Sequence, residues 1–458
     1  MSQDSIRLFG TDGIRGHFGE PPLDRPTVTA LAVQLAATLC DRRSLGNNGA
    51  PPKVVLGGDT RESTPVICRW LAAGLTAGGV DVRYAGVIPT PGVAHLTRET
   101  GAASGVVVSA SHNPYPDNGI KLIDPQGTKW SDEDELALET RLKAHPADVP
   151  DLPEGQPTVE PGLRERYLDH LAATLPEGRP LDGLKVVLDT GNGAASTYAR
   201  ELFERLGART VPLHAEPNGR NVNEHCGSTA PAEMAARVVA EGADLGAAFD
   251  GDADRCILAD ERGEVRDGDA ILYLWATCLH RSGRLEPPRI VATSMSNLGL
   301  ERALAAEGIG IVRCAVGDRY VVEAMRKEGI LLGGEQSGHI VQSHLASTGD
   351  GLLTAIQMAF VRHQDGHPLS RMLAPFRRYP QVLLNVRVKR KVAFQDLPAV
   401  TTAARAVEDR LGDDGRLVLR YSGTEPLARI MIEGPEQGLI DGLAEELAVA
   451  IRGELGAG

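Results

Sequence analysis

The sequence predicts an α/β protein in which three related mixed-sheet α/β domains are followed by a C-terminal α+β domain. The first observation behind this is alternation. Short Val- and Ile-rich runs give way to longer Ala/Leu-rich segments of helical period, as in KVVLGGDTR (53–61) before PVICRWLAAGLTAGG, and KVVLDTGNG (185–193) before ASTYARELFERLG. That is the pattern of βα units. The second is repetition: RIVATSMSN (289–297) leads into LGLERALAAEG in the same way, so similar strand–turn–helix starts recur along the chain. The third is a change of construction near the end. After the stretch from Gly366 to Pro380, QVLLNVRVKRK alternates as an exposed antiparallel strand does.

Breakers divide these units. HPADVPDLPEGQPTVEPG (145–162) carries five prolines and reads as a linker, and the turn-rich ADERGEVRDGD (259–269) separates a second unit from a third. The expected domains are 1–155, 156–262, 263–375 and 376–458, consistent with a 458-residue chain too long for one core. With aromatic residues at only 4%, the cores are expected to rest on Ala, Val, Leu and Ile. A net charge of −13 argues against a nucleic-acid partner, which requires clustered cations. A small phosphorylated ligand remains compatible, because a few convergent Arg residues suffice to hold it. The six cysteines are dispersed without a C-x-x-C pair and read as reduced, mostly buried thiols. Residues 1–10 lack the features of a secretion signal and no apolar run is long enough to span a bilayer, so a cytoplasmic protein without membrane contact is expected.

Four segments carry chemistry. In GVVVSASHNPYPDNGIKL (105–122) a buried strand ends in a loop presenting Ser109, Ser111, His112 and Asn113, with Lys121 close behind. A serine that passes a phosphoryl group needs exposure, a proton acceptor and positive charge, which His112 and Lys121 could supply. Taken alone, the Ser-His pair reads more simply as a polar turn. In ADLGAAFDGDADRCILAD (243–260), Asp250, Asp252 and Asp254 alternate, so a curled loop can converge their carboxylates on a hard cation such as Mg²⁺ or Ca²⁺. Arg255 stands where a calcium-binding helix–loop–helix needs glycine, which favours Mg²⁺. GGEQSGHIV (333–341) combines glycines with Glu335, Ser337 and His339, groups suited to sugar hydroxyls. RYSGTEPLARI (420–430) offers Arg420, Ser422, Gly423, Thr424 and Arg429 as a phosphate cradle. Each of the last two is, in isolation, equally compatible with an ordinary turn.

Together with FGTDGIRG (9–16), these loops closely resemble the signature loops of the α-D-phosphohexomutase family, in the family's order from Phe9 to about Glu433. The resemblance implies that the domains surround a central cleft, with phosphoserine, metal-binding, sugar-recognition and phosphate-binding loops in successive domains. It implies that Ser111 is carried as a phosphoserine and that Ser111, Asp250, Asp252 and Asp254 hold one Mg²⁺ per chain. Arg15, His112, Lys121 and Arg255 would lie near the reacting phosphate, with Lys121 or His112 as acid/base. Glu335, Ser337 and His339 would grip the sugar, and Arg420, Ser422, Gly423, Thr424 and Arg429 the phosphate that does not react. The opening LFGTDGIRG, Gln336 between Glu335 and Ser337, and STGDGLLTA (347–355) point to members acting on glucosamine phosphate. The implied reaction interconverts glucosamine 6-phosphate and glucosamine 1-phosphate for amino-sugar nucleotide and cell-wall precursor synthesis. A hexosamine 1,6-bisphosphate would be the priming intermediate, and Glu335, the amide oxygen of Gln336 and His339 are the acceptors expected near the 2-amine. Mannose or glucose phosphate substrates are the alternative. A sugar phosphatase or a non-catalytic sugar-phosphate-binding paralogue ranks lower, since Ser111 and the aspartates are intact. A homodimer is compatible with this reading. Tyr421 departs from the smaller or basic residue expected in the phosphate loop.

Overall fold

In the first sheet the strands are β1 (Ile14–His17), β2 (Lys53–Gly58), β3 (Asp81–Val87), β4 (Ser104–Val108) and β5 (Asp117–Ile123), ordered β1-β5-β4-β2-β3. This computed structural model describes residues 8–10, 12–44, 50–144, 152–422 and 425–456. β2 pairs in parallel with both β3 and β4, and β5 returns antiparallel to β4. The second sheet contains β6 (Lys185–Asp189), β7 (Arg209–Leu213), β8 (Leu245–Phe249), β9 (Cys256–Asp260) and β10 (Val265–Arg266), ordered β10-β9-β8-β6-β7. The third contains β11 (Arg289–Thr293), β12 (Gly310–Cys314), β13 (Leu332–Gly334) and β14 (Ile340–Gln342), ordered β12-β11-β13-β14.

These sheets repeat one plan. A first strand lies in parallel between two others, and the last of the three turns back through a loop into an antiparallel neighbour. The expected repeat is therefore present as topology. The loops of chemical interest occupy the same place in each unit: 109–116 joins β4 to β5, 250–255 joins β8 to β9, and 335–339 joins β13 to β14. β4 and β8 are buried along their whole length. Such strands carry apolar runs without alternation and aim their ends, and the loops that follow, toward a common face.

β15 (Gln381–Arg387), β16 (Arg416–Tyr421) and β17 (Leu427–Glu433) form an antiparallel sheet ordered β15-β17-β16. Helices Pro398–Leu411 and Gln437–Leu455 pack on it around a separate core that includes Val400, Val407, Ile430, Leu443 and Ile451. By contrast, one continuous apolar cluster runs through the first three units, from Val55 through Leu188 and Ile290 to Leu373. The fold is thus three mixed-sheet α/β units plus an α+β unit, as the sequence predicts.

Two breaker segments differ from expectation. The far end of the proline-rich stretch is fixed, with Val159 bridging Tyr84 and the Glu160 amide donating to the Tyr84 carbonyl at 2.8 Å along the edge of the first sheet; its residues 145–151 lie outside the described ones. The segment 259–269 forms the β9–β10 hairpin, and Asp267 then caps helix Gly268–Arg281. Among the described residues the cysteines form no disulfide, and Cys68, Cys226 and Cys256 are buried. Among the described residues no helix is long and apolar enough to cross a membrane.

Candidate active site

The serine loop is built on a buried guanidinium. Arg61, just beyond β2, is fully buried and donates from Nε to Asp59 (2.8 Å), from Nη1 to the carbonyls of Pro114 and Asp117, and from Nη2 to those of Ser111 and Asn113. Asp59 in turn accepts from the Ser109 hydroxyl at 2.6 Å, and the Ser109 oxygen accepts from the Ser111 amide at 2.9 Å. Ser111 adopts φ +52°, a left-handed conformation uncommon outside glycine, which turns its side chain out of the strand direction. Its Oγ donates to Asp250 Oδ2 at 2.6 Å and lies 3.3 Å from His112 Nδ1. Contrary to the expectation of an exposed nucleophile, Ser111 is only 1% exposed, covered by His112 and the aspartate loop.

Ala253, also at positive φ (+55°), lets the 250–255 loop curl. Carboxylate oxygens of Asp250, Asp252 and Asp254 consequently lie within 4.8 Å of one another, all buried. Asp252 Oδ2 accepts from Lys121 Nζ (2.9 Å) and from the Thr90 hydroxyl (2.6 Å). Asp252 Oδ1 and Asp254 Oδ1 are buried without any hydrogen-bond partner. Such oxygens are costly unless a cation completes them. Burial, together with Asp254 and Asp252, pushes the Asp250 carboxyl well above its ordinary range, the mark of negative charge in excess. The residues therefore fit a hard divalent cation. Asp189, His214 and Cys226 form a second close group. There the carboxylate already accepts from the amides of Gly191 and Gly227 and pairs with His214, so it braces a turn.

Lys121 is buried, and although burial opposes its charge, Asp12, Asp252 and Asp254 hold the ammonium protonated far above its usual range. His112 is shifted the other way, to about 4, by burial and the nearby guanidiniums of Arg255 and Arg15, and so is neutral at neutral pH. Asp12 also contacts Arg15 and Lys129, and Lys129 reaches Asp318 at 2.5 Å. Beside Asp318, the Gly317 amide donates to Glu335 at 2.9 Å. A chain of charged groups thus ties the Ser111 end of the site to Glu335.

A cleft of about 700 Å³ gathers groups from all four units: Arg15 and His112, Asp254 and Arg255, Glu335 and His339, Arg420 and Arg429. Ser111, Lys121, Asp250 and Asp252 are buried behind these groups, with Ser111 contacting His112 and Lys121 facing Asp254 at 3.8 Å. Ser337 hydrogen-bonds Glu335, and Ser422 accepts from Arg429 at 3.3 Å. Gly423 and Thr424 lie outside the described residues. Four arginines, Arg15, Arg255, Arg420 and Arg429, line this one cleft, a cluster of cations suited to an anion. Gln336 departs from expectation, since its amide contacts Asp269 at 3.4 Å and it does not line the cleft. His339 accepts the Gly349 amide at Nε2, which leaves Nδ1 to face Asp254 at 3.6 Å. The 347–355 segment therefore backs the aspartate loop. Tyr421 stacks on Phe394 with ring centroids 4.2 Å apart, and its hydroxyl donates to the Val392 carbonyl, so it packs away from the arginines.

Sequence reasoning missed Asp12, Arg61, Lys129, Asp318 and Asn223, whose side-chain amide donates to the Ser111 carbonyl at 2.9 Å. Two of them carried a local signal, Asp12 within FGTDGIRG and Arg61 following a predicted strand within GGDTR.

Family profiles described as phosphoglucomutase/phosphomannomutase alpha/beta/alpha domains I, II and III and C-terminal domain match residues 6–148, 165–263, 267–379 and 383–450. The chain is 46% identical over 450 residues to a phosphoglucosamine mutase of Solibacter usitatus, covering 98% of this chain and 99% of that one. It is 45% identical over 452 residues to that of Symbiobacterium thermophilum (98% and 99%). Among solved structures, a phosphoglucomutase/phosphomannomutase family protein from Burkholderia thailandensis superposes with TM-score 0.79 at 24% identity, covering 98% and 97% of the two chains. Aspergillus fumigatus N-acetylphosphoglucosamine mutase, solved with GlcNAc-6P and magnesium, has the same fold at TM-score 0.65 and 19% identity, covering 98% and 96%.

Proposed function

Because the chain belongs to the phosphoglucomutase/phosphomannomutase family, the α-D-phosphohexomutases, we propose that it interconverts glucosamine 6-phosphate and glucosamine 1-phosphate through a phosphoserine at Ser111 and a 1,6-bisphosphate. The reach of Ser111 Oγ across a domain boundary to Asp250, beside a cleft lined by Arg15, Arg255, Arg420 and Arg429, carries the chemistry of this reading. Identity of 45–46% over nearly the whole length of phosphoglucosamine mutases supports the choice of sugar.

Ser111, Asp250, Asp252 and Asp254 would hold Mg²⁺, the cation an all-oxygen donor set suits. When bound it neutralises and orients the transferring phosphoryl group. The chain's own residues do the rest. Arg15 and Arg255 face the cleft where the reacting phosphate sits, and Lys121 stays a fixed cation below it. A free hydroxyl of the hexosamine monophosphate attacks the phosphoserine phosphorus, so that one O–P bond forms as the Oγ–P bond breaks. Neutral His112 takes the hydroxyl proton and returns it to Ser111 Oγ, which lies 3.3 Å from Nδ1. The bisphosphate then turns end for end and gives its other phosphate back to Ser111. Arg420 and Arg429 hold whichever phosphate is not reacting, while Glu335 and His339 engage the sugar between. Closure of the cleft keeps water from the phosphoserine.

A coupled assay on glucosamine 6-phosphate beside mannose and glucose phosphates tests this. The expected result is the highest kcat/KM on the glucosamine phosphate, with weak residual turnover of glucose phosphates. Equal or better turnover of mannose 1-phosphate would overturn the substrate assignment.

A further inference from the structure

Ser111 is held by its carbonyl. Arg61 Nη2 and Asn223 Nδ2 each donate to the Ser111 carbonyl at 2.9 Å, and the same two groups donate to the Asn113 carbonyl at 2.8 and 3.1 Å. Arg61 belongs to the first unit, whereas Asn223 comes from the loop between β7 and β8 in the second. Gly251 closes a third side, for a Cβ there would stand 2.6 Å from the Ser111 carbonyl oxygen and 3.0 Å from Asn223 Nδ2. A non-glycine residue at positive φ is strained and persists only where its surroundings enforce it. Here the enforcement comes from both sides of a domain boundary, the boundary that Ser111 Oγ spans to reach Asp250.

We propose that Asn223 is a positioning residue for the phosphoryl carrier. It grips the Ser111 and Asn113 carbonyls from the second domain, locking the strained serine loop of the first onto the aspartate loop of the second. The proposal rests on the reading of Ser111 as carrier. Asn223 touches neither the cleft nor the arginines that would bind the substrate's phosphate, so its loss acts on transfer rather than on substrate affinity.

The test uses Asn223→Asp and Asn223→Gly in the full-length protein. Aspartate keeps the shape but replaces the donating amide by an oxygen facing two carbonyls. Glycine suits the φ of +57° at this position and deletes the amide without backbone strain. In both variants kcat is expected to fall roughly ten- to a hundred-fold with KM held within about twofold, as for a small misplacement of reacting groups. The rate at which hexosamine 1,6-bisphosphate rephosphorylates Ser111, followed by intact mass, falls in parallel. If Asn223→Asp does not fold, Asn223→Gly decides. Unchanged kcat and rephosphorylation in Asn223→Gly would overturn the proposal, as would a lowered melting temperature with full activity per folded molecule. Failure of the wild-type protein to be phosphorylated at Ser111 would instead overturn the carrier assignment itself, so the two failures are distinguishable.

Discussion

Arg420 and Arg429 stand directly opposite each other in the antiparallel register of β16 and β17. Like charges so placed destabilise a sheet, and burial together with Arg429 lowers the Arg420 pKa accordingly. The pair makes sense as an anion site. Arg420→Ala is expected to raise KM for the monophosphate roughly ten- to a hundred-fold, the cost of one charge-assisted contact, with a smaller effect on kcat. Inorganic phosphate should raise the melting temperature of the wild type more than that of the variant. Steady-state kinetics and thermal melts check both, and unchanged KM would reduce this loop to a solvated turn.

The aspartate loop makes a prediction that does not depend on turnover. Asp250, Asp252 and Asp254 are buried together, so Mg²⁺ should stabilise the protein, by roughly 2.7 kcal/mol at about 100 times Kd. Asp250→Asn relieves repulsion and still accepts from Ser111, so without metal it should melt at or above the wild-type temperature. Added Mg²⁺ should then shift it little. Chelation should stop wild-type turnover and Mg²⁺ restore it. An equal Mg²⁺-induced shift in both proteins would remove Asp250 from the metal site.

Sugar recognition should follow the cleft wall. Glu335 lines the cleft while Gln336 turns to Asp269. Glu335→Gln, which removes a carboxylate facing a usually cationic amine, should narrow the preference for glucosamine over glucose phosphate more than Gln336→Met does. Ratios of kcat/KM for the two substrates measure this, and a larger effect at Gln336 would contradict it.

Away from the cleft, His95 and His170 stack with ring centroids 3.9 Å apart between helices Thr90–Glu99 and Leu163–Ala173. Burial, the neighbouring imidazole and Arg98 lower His95 to about 4, and burial likewise lowers His170. Unfolded histidines bind protons near pH 6.5, so the unfolded state gains protons first. The stability these residues contribute is therefore fully present above about pH 6.5 and is lost as pH falls toward about 4. Melting temperatures measured across that window should decline with acid, and His95→Phe should flatten the decline. A variant as pH-sensitive as the wild type would exclude the pair.

The legible parts of this protein are those written in contiguous residues. The serine, aspartate, glutamate and arginine loops each announce themselves in a short run, because each is a single strand-to-strand connection whose reactive groups are close in sequence. The supports are different. Arg61 holds carbonyls 50 and 52 residues away, Asn223 holds the same carbonyls from 112 and 110 residues away, and Lys129 joins Asp12 to Asp318. No local pattern encodes such contacts, which arise only when distant segments pack, within a domain for Arg61 and between domains for Asn223. The burial of Ser111 and the turning of Gln336 toward Asp269 were hidden for the same reason. A motif states which groups are present but not which of them face the cleft.

The central claim is that Ser111 carries the phosphoryl group. Ser109 stands two residues away with its hydroxyl committed to Asp59 at 2.6 Å, which makes it the natural control. The most direct measurement is site-localising mass spectrometry of the protein after equilibration with hexosamine 1,6-bisphosphate, on wild type and Ser111→Ala. The account predicts one phosphate, on Ser111, absent from the variant together with nearly all mutase activity. Phosphate on Ser109, or mutase activity persisting in Ser111→Ala, would contradict it.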